Sequence, residues 1–168
     1  MIFTFEFIRK NIPLDWNDVL WGYSRGLVGW RVPVELAKLK ALNKTQNRVV
    51  DELAKIDKDH DWKIRDLLEE LIIEESKPES QSKIKWLYLT MLQLYENKEH
   101  EDNIFDLVND VYIEYDFPEE IITFVPMLPP KDGYVPGAHT INENRDRLLK
   151  IWFDYLQRTK IYFESDLV

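Results

Sequence analysis

The sequence lacks cysteine, is poor in glycine and has no long apolar run. Without cysteine, disulfides, thiolate metal sites and cysteine nucleophiles are excluded. Only 5 glycines occur in 168 residues, which argues against a β fold rich in tight turns. No stretch approaches the ~18 apolar residues of a membrane-spanning helix, and the first ten residues lack the charge order of a signal peptide. We therefore expect no membrane segment and a cytoplasmic location.

Motifs of well-known enzyme classes are also missing. The chain contains no G-x-S-x-G elbow, no H-E-x-x-H pair and no G-x-x-x-x-G-K phosphate loop. Its 3 histidines, His60, His100 and His139, are not spaced as metal ligands. His139 is the best catalytic candidate because it follows a loop rich in proline and glycine. The sequence predicts a non-enzymatic protein with no catalytic residue, metal or cofactor.

One segment resembles the start of a calcium-binding EF-hand loop, because Asp57, Asp59 and Asp61 occupy alternate positions. That loop requires glycine at its sixth position and glutamate at its twelfth. This chain has Trp62 and Leu68 there. We therefore interpret the segment as a polar loop that ends with Asp61 as the N-cap of a helix.

Most of the chain shows the apolar periodicity of amphipathic helices. Asp15 is a suitable N-cap with Asp18 in the first turn, and Gly26 suits the left-handed residue that ends a helix. Between them, apolar residues recur at i, i+3, i+4 and i+7: Trp16, Val19, Leu20 and Tyr23. Further helix starts are indicated at Pro33, Thr45, Asp61 and Pro118. The pattern predicts an all-α fold, a single irregular multi-helix domain over residues 1–168, arranged as a bundle or a short solenoid-like stack.

Two segments depart from this pattern. Phe3, Phe5 and Phe7 alternate, which fits a short strand, although with Ile8 they equally fit one side of a helix. Residues Pro126–Thr140 contain 4 prolines and 2 glycines, which predicts a long loop before the C-terminal helix. Long loops in compact domains are often functional.

Charge is concentrated in one stretch of the chain. Residues 96–120 hold ten carboxylates and a single cation, Lys98, so they carry the entire net charge of −9. Residues 1–95 hold 15 acids and 15 bases, and residues 121–168 hold 6 of each. A local field of this kind attracts basic partners and repels nucleic acid. Since the basic residues are dispersed among acids, direct nucleic-acid binding is not expected.

The same stretch predicts a helix over about residues 102–116 that carries four acids spaced four residues apart: Asp102, Asp106, Asp110 and Glu114. Such residues lie above one another on a helix, here beside an apolar stripe that begins at Ile104 and ends at Tyr115. They form the predicted partner-binding site, with Asp106, Asp110 and Glu114 at its centre and Asp102 and Glu99 at its rim. Three interpretations stay open: a solvated face, a docking surface for a basic partner, and a divalent-metal site. A linear arrangement disfavours the last, because hard cations need converging oxygens.

Aromatic residues supply a second candidate surface. Trp21 and Trp30 fall outside the apolar stripe of the Asp15–Gly26 helix, so we interpret them as partly exposed anchors for a partner. Core packing is the competing interpretation. An exposed aromatic surface would also suit a structural subunit that oligomerises.

The N-terminal third resembles a known family, and the resemblance rests on NIPLDWNDV at 11–19, WGY at 21–23 and RGLV at 25–28. These stretches are similar to the opening of an uncharacterised bacterial family of small helical proteins. Their motif is a capped helix with a glycine stop, which implies no catalytic residue. In its general character (short, acidic, helical and cysteine-free) the chain is also similar to immunity proteins of bacterial toxin systems. That likeness implies a neutraliser of a basic toxin, often a nuclease.

Together these features favour a non-enzymatic binding protein whose acidic helix docks on a basic protein partner, with a toxin domain as the most concrete candidate. The alternative is a small-ligand protein or hydrolase built around the Pro126–Thr140 loop. A pocket lined by Tyr134 and His139 would favour that alternative, and a flat, exposed loop would count against it.

Overall fold

The computed structural model describes residues 1–42, 47–73 and 79–165. Across these ranges the regular structure is helical, with one isolated parallel β-bridge between Phe3 and Val28. The predicted all-α fold is confirmed. The chain divides into two compact units, Met1–Trp86 and Leu87–Val168. Their boundary falls inside a helix, and the single domain stays a prediction.

The first unit is built from short helices. In chain order they are α1 (Phe5–Asn11), α2 (Trp16–Ser24), α3 (Arg31–Leu42), α4 (Arg48–Leu53), α5 (Ile64–Ile72) and the start of α6 (Glu79–Glu96). The alternating phenylalanines are therefore divided: Phe3 takes part in the bridge, whereas Phe5 and Phe7 belong to α1.

Helix α2 has the two ends that the sequence predicts. Asp15 and Asp18 form a capping box, in which each carboxylate accepts the backbone N–H of the other residue at 3.0 Å. Gly26 has a φ of +68°, and the N–H groups of Gly26 and Leu27 donate to carbonyls of the last turn. This is a Schellman motif, which satisfies carbonyls that the helix leaves without partners.

The core of the first unit is formed by one face each of α2 to α5. Its fully buried residues include Val19, Ala37, Leu53, Ile64 and Leu68. Burying a side chain of the size of valine, leucine or isoleucine stabilises a fold by about 1.5–3 kcal/mol, so this cluster supplies the main driving force of the unit.

Two predicted helix starts in this unit need comment. Asp61 is not an N-cap: the helical segment begins earlier, as a 3-10 helix over Lys58–Lys63 that leads directly into α5, and Asp57 caps that segment. The start predicted at Thr45 lies outside the described residues. Within them, Asn47 caps α4, accepting the N–H groups of the first turn at 2.9 and 3.3 Å.

The second unit contains the rest of α6, α7 (Ile104–Glu114), α8 (Ile141–Ser165) and 3-10 helices at Glu119–Phe124 and Pro136–Ala138. Stacked rings fill its core: Phe124 lies parallel to Trp152 with 5.8 Å between ring centroids, and Tyr88 meets Phe163 edge-on at 5.5 Å. The helix predicted after Pro118 is thus a 3-10 helix.

None of the described helices combines the length and the apolar character needed to cross a bilayer.

Candidate functional site

The predicted acidic helix is α7, and it is shorter than its sequence pattern suggests. Ile104, Val108, Val111 and Tyr112 are buried, as the apolar stripe predicts. The helix begins at Ile104, after Asn103, whose side chain makes no capping hydrogen bond. Asp102 therefore lies in the turn before α7, which corrects the prediction that it belongs to the helical row. Its short polar side chain is tolerated in turns as readily as in the first turn of a helix.

All five predicted partner-binding acids are exposed, and we call them the acidic surface: Glu99, Asp102, Asp106, Asp110 and Glu114. Asp106, Asp110 and Glu114 follow one another at four-residue spacing along α7, so they lie on one face of it. Glu99 and Asp102 precede the helix. Among the residues that the structure describes, none of the five forms an ion pair or a side-chain hydrogen bond.

The one cation of the acidic stretch is occupied elsewhere. The Lys98 Nζ lies 4.2 Å from the centroid of the Tyr95 ring and donates to the Tyr95 carbonyl oxygen at 3.3 Å. In this position Lys98 forms no ion pair with a described carboxylate.

Three exposed apolar residues are found in α7 or after it, and we call them the apolar trio: Ile113 in α7, and Phe117 and Met127 further along the chain. Their exposed fractions are 51%, 56% and 54%. The Met127 N–H donates to the side-chain oxygen of Asn109 on α7 at 3.1 Å, which ties it to the helix. On α7 itself, Ile113 lies one turn from Asp110 and directly precedes Glu114, so exposed apolar and acidic side chains are neighbours there.

The C-terminus of α7 is a second Schellman motif, without glycine. The N–H groups of Asp116 and Phe117 donate to the carbonyls of Ile113 and Tyr112 at 3.0 and 2.8 Å. Asp116 and Phe117 have φ angles of 53° and 55°, a left-handed conformation that side chains disfavour. The Phe117 ring meets Tyr112 edge-on at 5.3 Å, the apolar contact that accompanies this motif. The motif fixes the position of Phe117 at the end of the acidic face.

Of the two predicted aromatic anchors, Trp21 differs from the prediction and Trp30 is partly exposed as expected. Trp21 is only 9% exposed and has the Arg25 guanidinium 3.8 Å from its ring centroid, so it is not an exposed anchor. Trp30 is half-buried and packs against the core of the first unit. The exposed tryptophan is Trp62, at 67%, in the 3-10 helix before α5. Helical periodicity predicted that Trp21 is partly exposed, because the pattern of a single helix carries no information on which other segments pack against it.

A buried polar network in the first unit was not foreseen from the sequence. Asp18, 1% exposed, accepts the Ser82 hydroxyl at 2.7 Å and an ion-pairing hydrogen bond from Lys85. Its backbone carbonyl accepts the Trp86 indole N–H at 2.7 Å. Burial raises the pKa of the Asp18 carboxyl, and Lys85 acts in the opposite direction. The network links α2 to the start of α6, and we interpret its role as stabilising the contact between these two helices.

The Pro/Gly-rich loop forms one wall of a groove of about 590 Å³. Tyr134 lines this groove, whereas His139 is not among its lining residues. His139 instead stacks on Tyr134, with 4.6 Å between ring centroids, and lies 3.9 Å from Glu143. Tyr134 therefore lies where the alternative interpretation expects it and His139 does not, and the small-ligand protein or hydrolase stays a prediction.

Helix α8 forms the opposite side of that groove and is firmly capped. Thr140 and Glu143 form a capping box: the Glu143 carboxylate accepts the Thr140 N–H at 2.7 Å, and the Thr140 hydroxyl accepts the Glu143 N–H at 3.2 Å. The hydrogen bonds from Thr140 hold the pKa of Glu143 below its ordinary value. The segment Asp57–Asp61, which resembles the start of an EF-hand loop, is the capped start of the 3-10 helix at Lys58–Lys63, and no described residues cluster as a metal site of three or more His, Asp or Glu.

The fold and the exposed face together define a small all-α protein with a strongly acidic patch. The chain belongs to the family described as an uncharacterized protein conserved in bacteria (DUF2247), whose model it matches over residues 5–160. The predicted membership of an uncharacterised bacterial family is thus confirmed. No curated protein and no solved structure matches the chain.

Proposed function

We propose that this protein is a non-enzymatic binding protein whose acidic surface docks on a basic protein partner. The observation that carries the proposal is that all five acids of this surface are exposed and lack ion pairs within the described part of the chain. Carboxylates without local cations keep their field available to a partner. Such a field accelerates encounter with a cationic surface and makes binding sensitive to salt.

Charge alone gives rate and selectivity, whereas affinity comes mainly from apolar anchors that binding removes from water. The apolar trio supplies such anchors: Ile113 and Phe117 lie at the C-terminal end of α7, and Met127 is tied to the same helix. Exposed apolar residues near exposed acids are in keeping with a protein interface, which combines an apolar centre with a polar rim. This arrangement supports a protein partner over a free cation.

A bacterial toxin domain that acts on nucleic acid is the most concrete partner. Such a domain needs a cationic surface to bind phosphates, and an acidic protein that occupies this surface blocks it. The proposed role is that of an immunity protein acting in the bacterial cytoplasm. Membership of a family conserved in bacteria is compatible with this role.

The test compares three forms of the protein in affinity capture from a lysate of the native host at low salt. They are the wild type, the surface variant D106N/D110N/E114Q and the control variant E52Q/D59N/D66N. The control removes the same number of charges from exposed, unpaired acids of the first unit. We expect the wild type and the control to retain the same basic protein and the surface variant to lose it.

The retained protein is then purified and its affinity measured at increasing salt. The wild type should bind more weakly as salt rises, and the surface variant should bind at least tenfold more weakly at low salt with a flatter salt dependence. Equal retention by all three forms, or equal salt dependence, would show that the acidic surface is a solvated face without a docking role.

A further inference from the structure

The groove beside the Pro/Gly-rich loop is a separate feature of the second unit and does not involve the acidic surface. Its volume of about 590 Å³ lies within the range of about 300–1,000 Å³ typical of small-molecule sites. Ile122, Leu148 and Ile151 contribute apolar surface to it, and prolines of the loop line the other side. A largely apolar groove of this size accommodates one or two fused rings or a short hydrocarbon chain.

One wall of the groove is held in place before any ligand arrives. The Tyr134 ring lies between the His139 ring and the Arg147 guanidinium, which is 4.2 Å from the ring centroid. The Tyr134 hydroxyl donates to the Asn144 side chain at 2.7 Å, and Asn144 donates to the Pro136 carbonyl at 3.0 Å. These contacts tie the loop to α8. A fixed wall lowers the entropic cost of ordering the site on binding.

The charges that line the groove have the opposite sign to the unit that contains it. Lys131, Arg147 and Arg158 line it together with a single acid, Asp132. Asp132 is taken by Arg147, with 2.5 Å between carboxylate and guanidinium. Arg158 donates only through Nε, to the Asp154 carbonyl oxygen at 3.3 Å, and neither it nor Lys131 has an ion pair with a described residue. The groove therefore offers two uncompensated cations in a unit whose net charge is −9.

We propose that this groove binds a small amphipathic carboxylate, with an apolar body against Ile122, Leu148 and Ile151 and a carboxylate head on Arg158. The planar guanidinium offers paired N–H donors that match a carboxylate, and such charge-assisted bonds are stronger than neutral ones. The apolar lining sets the class of ligand. A free phosphate or sugar phosphate would leave the apolar lining exposed to water, whereas an aromatic or aliphatic acid would contact both the apolar lining and the Arg158 guanidinium.

The first test uses three probes that share one apolar body and differ in the charge of the head. They are 2-naphthoate, the neutral 2-naphthamide and the cationic 2-naphthylmethylammonium, each titrated into the wild-type protein by calorimetry. Amide chemical shifts locate the binding site. We expect the carboxylate to bind at least tenfold more tightly than either other probe, with shifts at Ile122, Tyr134 and Ile151. Equal affinity of the three probes, shifts elsewhere, or no binding of 2-naphthoate at millimolar concentration would overturn the proposal.

The second test assigns the head group to one residue. Arg158→Gln should weaken 2-naphthoate at least tenfold and leave 2-naphthamide unchanged, because only the charged head depends on the guanidinium. Lys150→Gln is the matched control, since it removes one exposed cation of α8 that does not line the groove. If both variants bind 2-naphthoate as the wild type does, the assignment of Arg158 is wrong. The wild-type probe series is independent of the folding of either variant.

Discussion

The two units of this protein use charge in opposite ways. The first unit, Met1–Trp86, holds 15 acids and 15 bases, and its buried carboxylate Asp18 is paired with Lys85. The second unit, Leu87–Val168, holds 16 acids and 7 bases, and its acidic surface is exposed without ion pairs to described residues. The buried Asp18–Lys85 pair acts on the stability of the fold, whereas the charge of the acidic surface acts on molecules that approach from solvent.

The difference has an energetic basis. Removing one partner of a buried ion pair leaves an uncompensated charge in a poorly solvated place, which costs several kcal/mol. Exposed charges are solvated and screened, and they contribute little to stability. Substitutions in the buried Asp18–Lys85 pair should therefore change stability strongly, whereas substitutions in the acidic surface should change binding and leave stability nearly unaltered.

The largest expected effect comes from Lys85→Met. This change leaves the Asp18 carboxylate buried without its cation, and we expect a loss of about 3–5 kcal/mol in the free energy of unfolding, measured in urea at neutral pH. Lys83→Met serves as the control, because Lys83 is outside the network, and it should cost less than about 1 kcal/mol. A double variant, D18N/K85M, should recover part of the loss, because no buried charge remains.

The pH dependence of the same network has a definite sign. Burial raises the pKa of Asp18 above its ordinary value of 3.8, so the native state binds the proton more tightly than the unfolded state does. The contribution to stability is then present below pH 3.8 and is lost as pH rises through the raised pKa. Asp18→Asn should abolish this component of the pH profile in urea unfolding. A wild-type profile identical to that of the variant would contradict the assignment.

The second expected effect tests the close contact between α2 and the start of α6. A Cβ on Gly22 would lie 2.3–2.9 Å from atoms of the Trp86 ring, which is fully buried. Gly22→Ala should therefore cost about 1–3 kcal/mol, as overpacking of a filled core does. Gly29→Ala is the matched control, since no atom lies within 4 Å of its added Cβ. Equal unfolding midpoints for the two variants would show that Trp86 moves aside freely.

The third effect compares the two Schellman motifs, one in each unit. Gly26 occupies the left-handed position after α2, and Asp116 occupies it after α7. Gly26→Ala should destabilise by about 1–2 kcal/mol, whereas Asp116→Gly should stabilise by up to about 1 kcal/mol, because glycine adopts positive φ without strain. Asp116→Asn removes the charge but keeps a side chain that tolerates positive φ, so it shows whether a change in stability comes from the backbone conformation or from the carboxylate. A loss of stability in Asp116→Gly would mean that the carboxylate makes a contact that outweighs its strain.

The features that the sequence predicted correctly are local ones. The capping box of α2 and its glycine end depend on residues within one turn of each other, and the exposure of Asp106, Asp110 and Glu114 follows from the apolar stripe beside them. Local pattern is enough in such cases because the partners are fixed by the period of the helix.

The features that it missed depend on distant pairing. Ser82 and Lys85 bind Asp18 although they lie more than 60 residues away in the sequence, and no spacing pattern predicts this contact. Trp21 was expected to be partly exposed and is buried, and the exposure of Trp62 had no signal in the sequence pattern. The loop at Pro126–Thr140 was predictable from its prolines and glycines. The groove was not, because residues of α8 also line it and the sequence does not show that α8 packs there. A single sequence does not specify which helix faces which loop.

The smallest expected effect on stability decides most about function. On α7, Asp106, Asp110 and Glu114 form two like-charged pairs four residues apart, each of which destabilises the helix by about 0.2–0.5 kcal/mol. The D106N/D110N/E114Q variant should therefore be slightly more stable than the wild type at low salt, and equal to it at high salt, in thermal or urea unfolding. The same variant should lose its basic partner. A small gain in stability together with a large loss of binding means that the acids serve the partner and not the fold, whereas a gain without any loss makes them a solvated face.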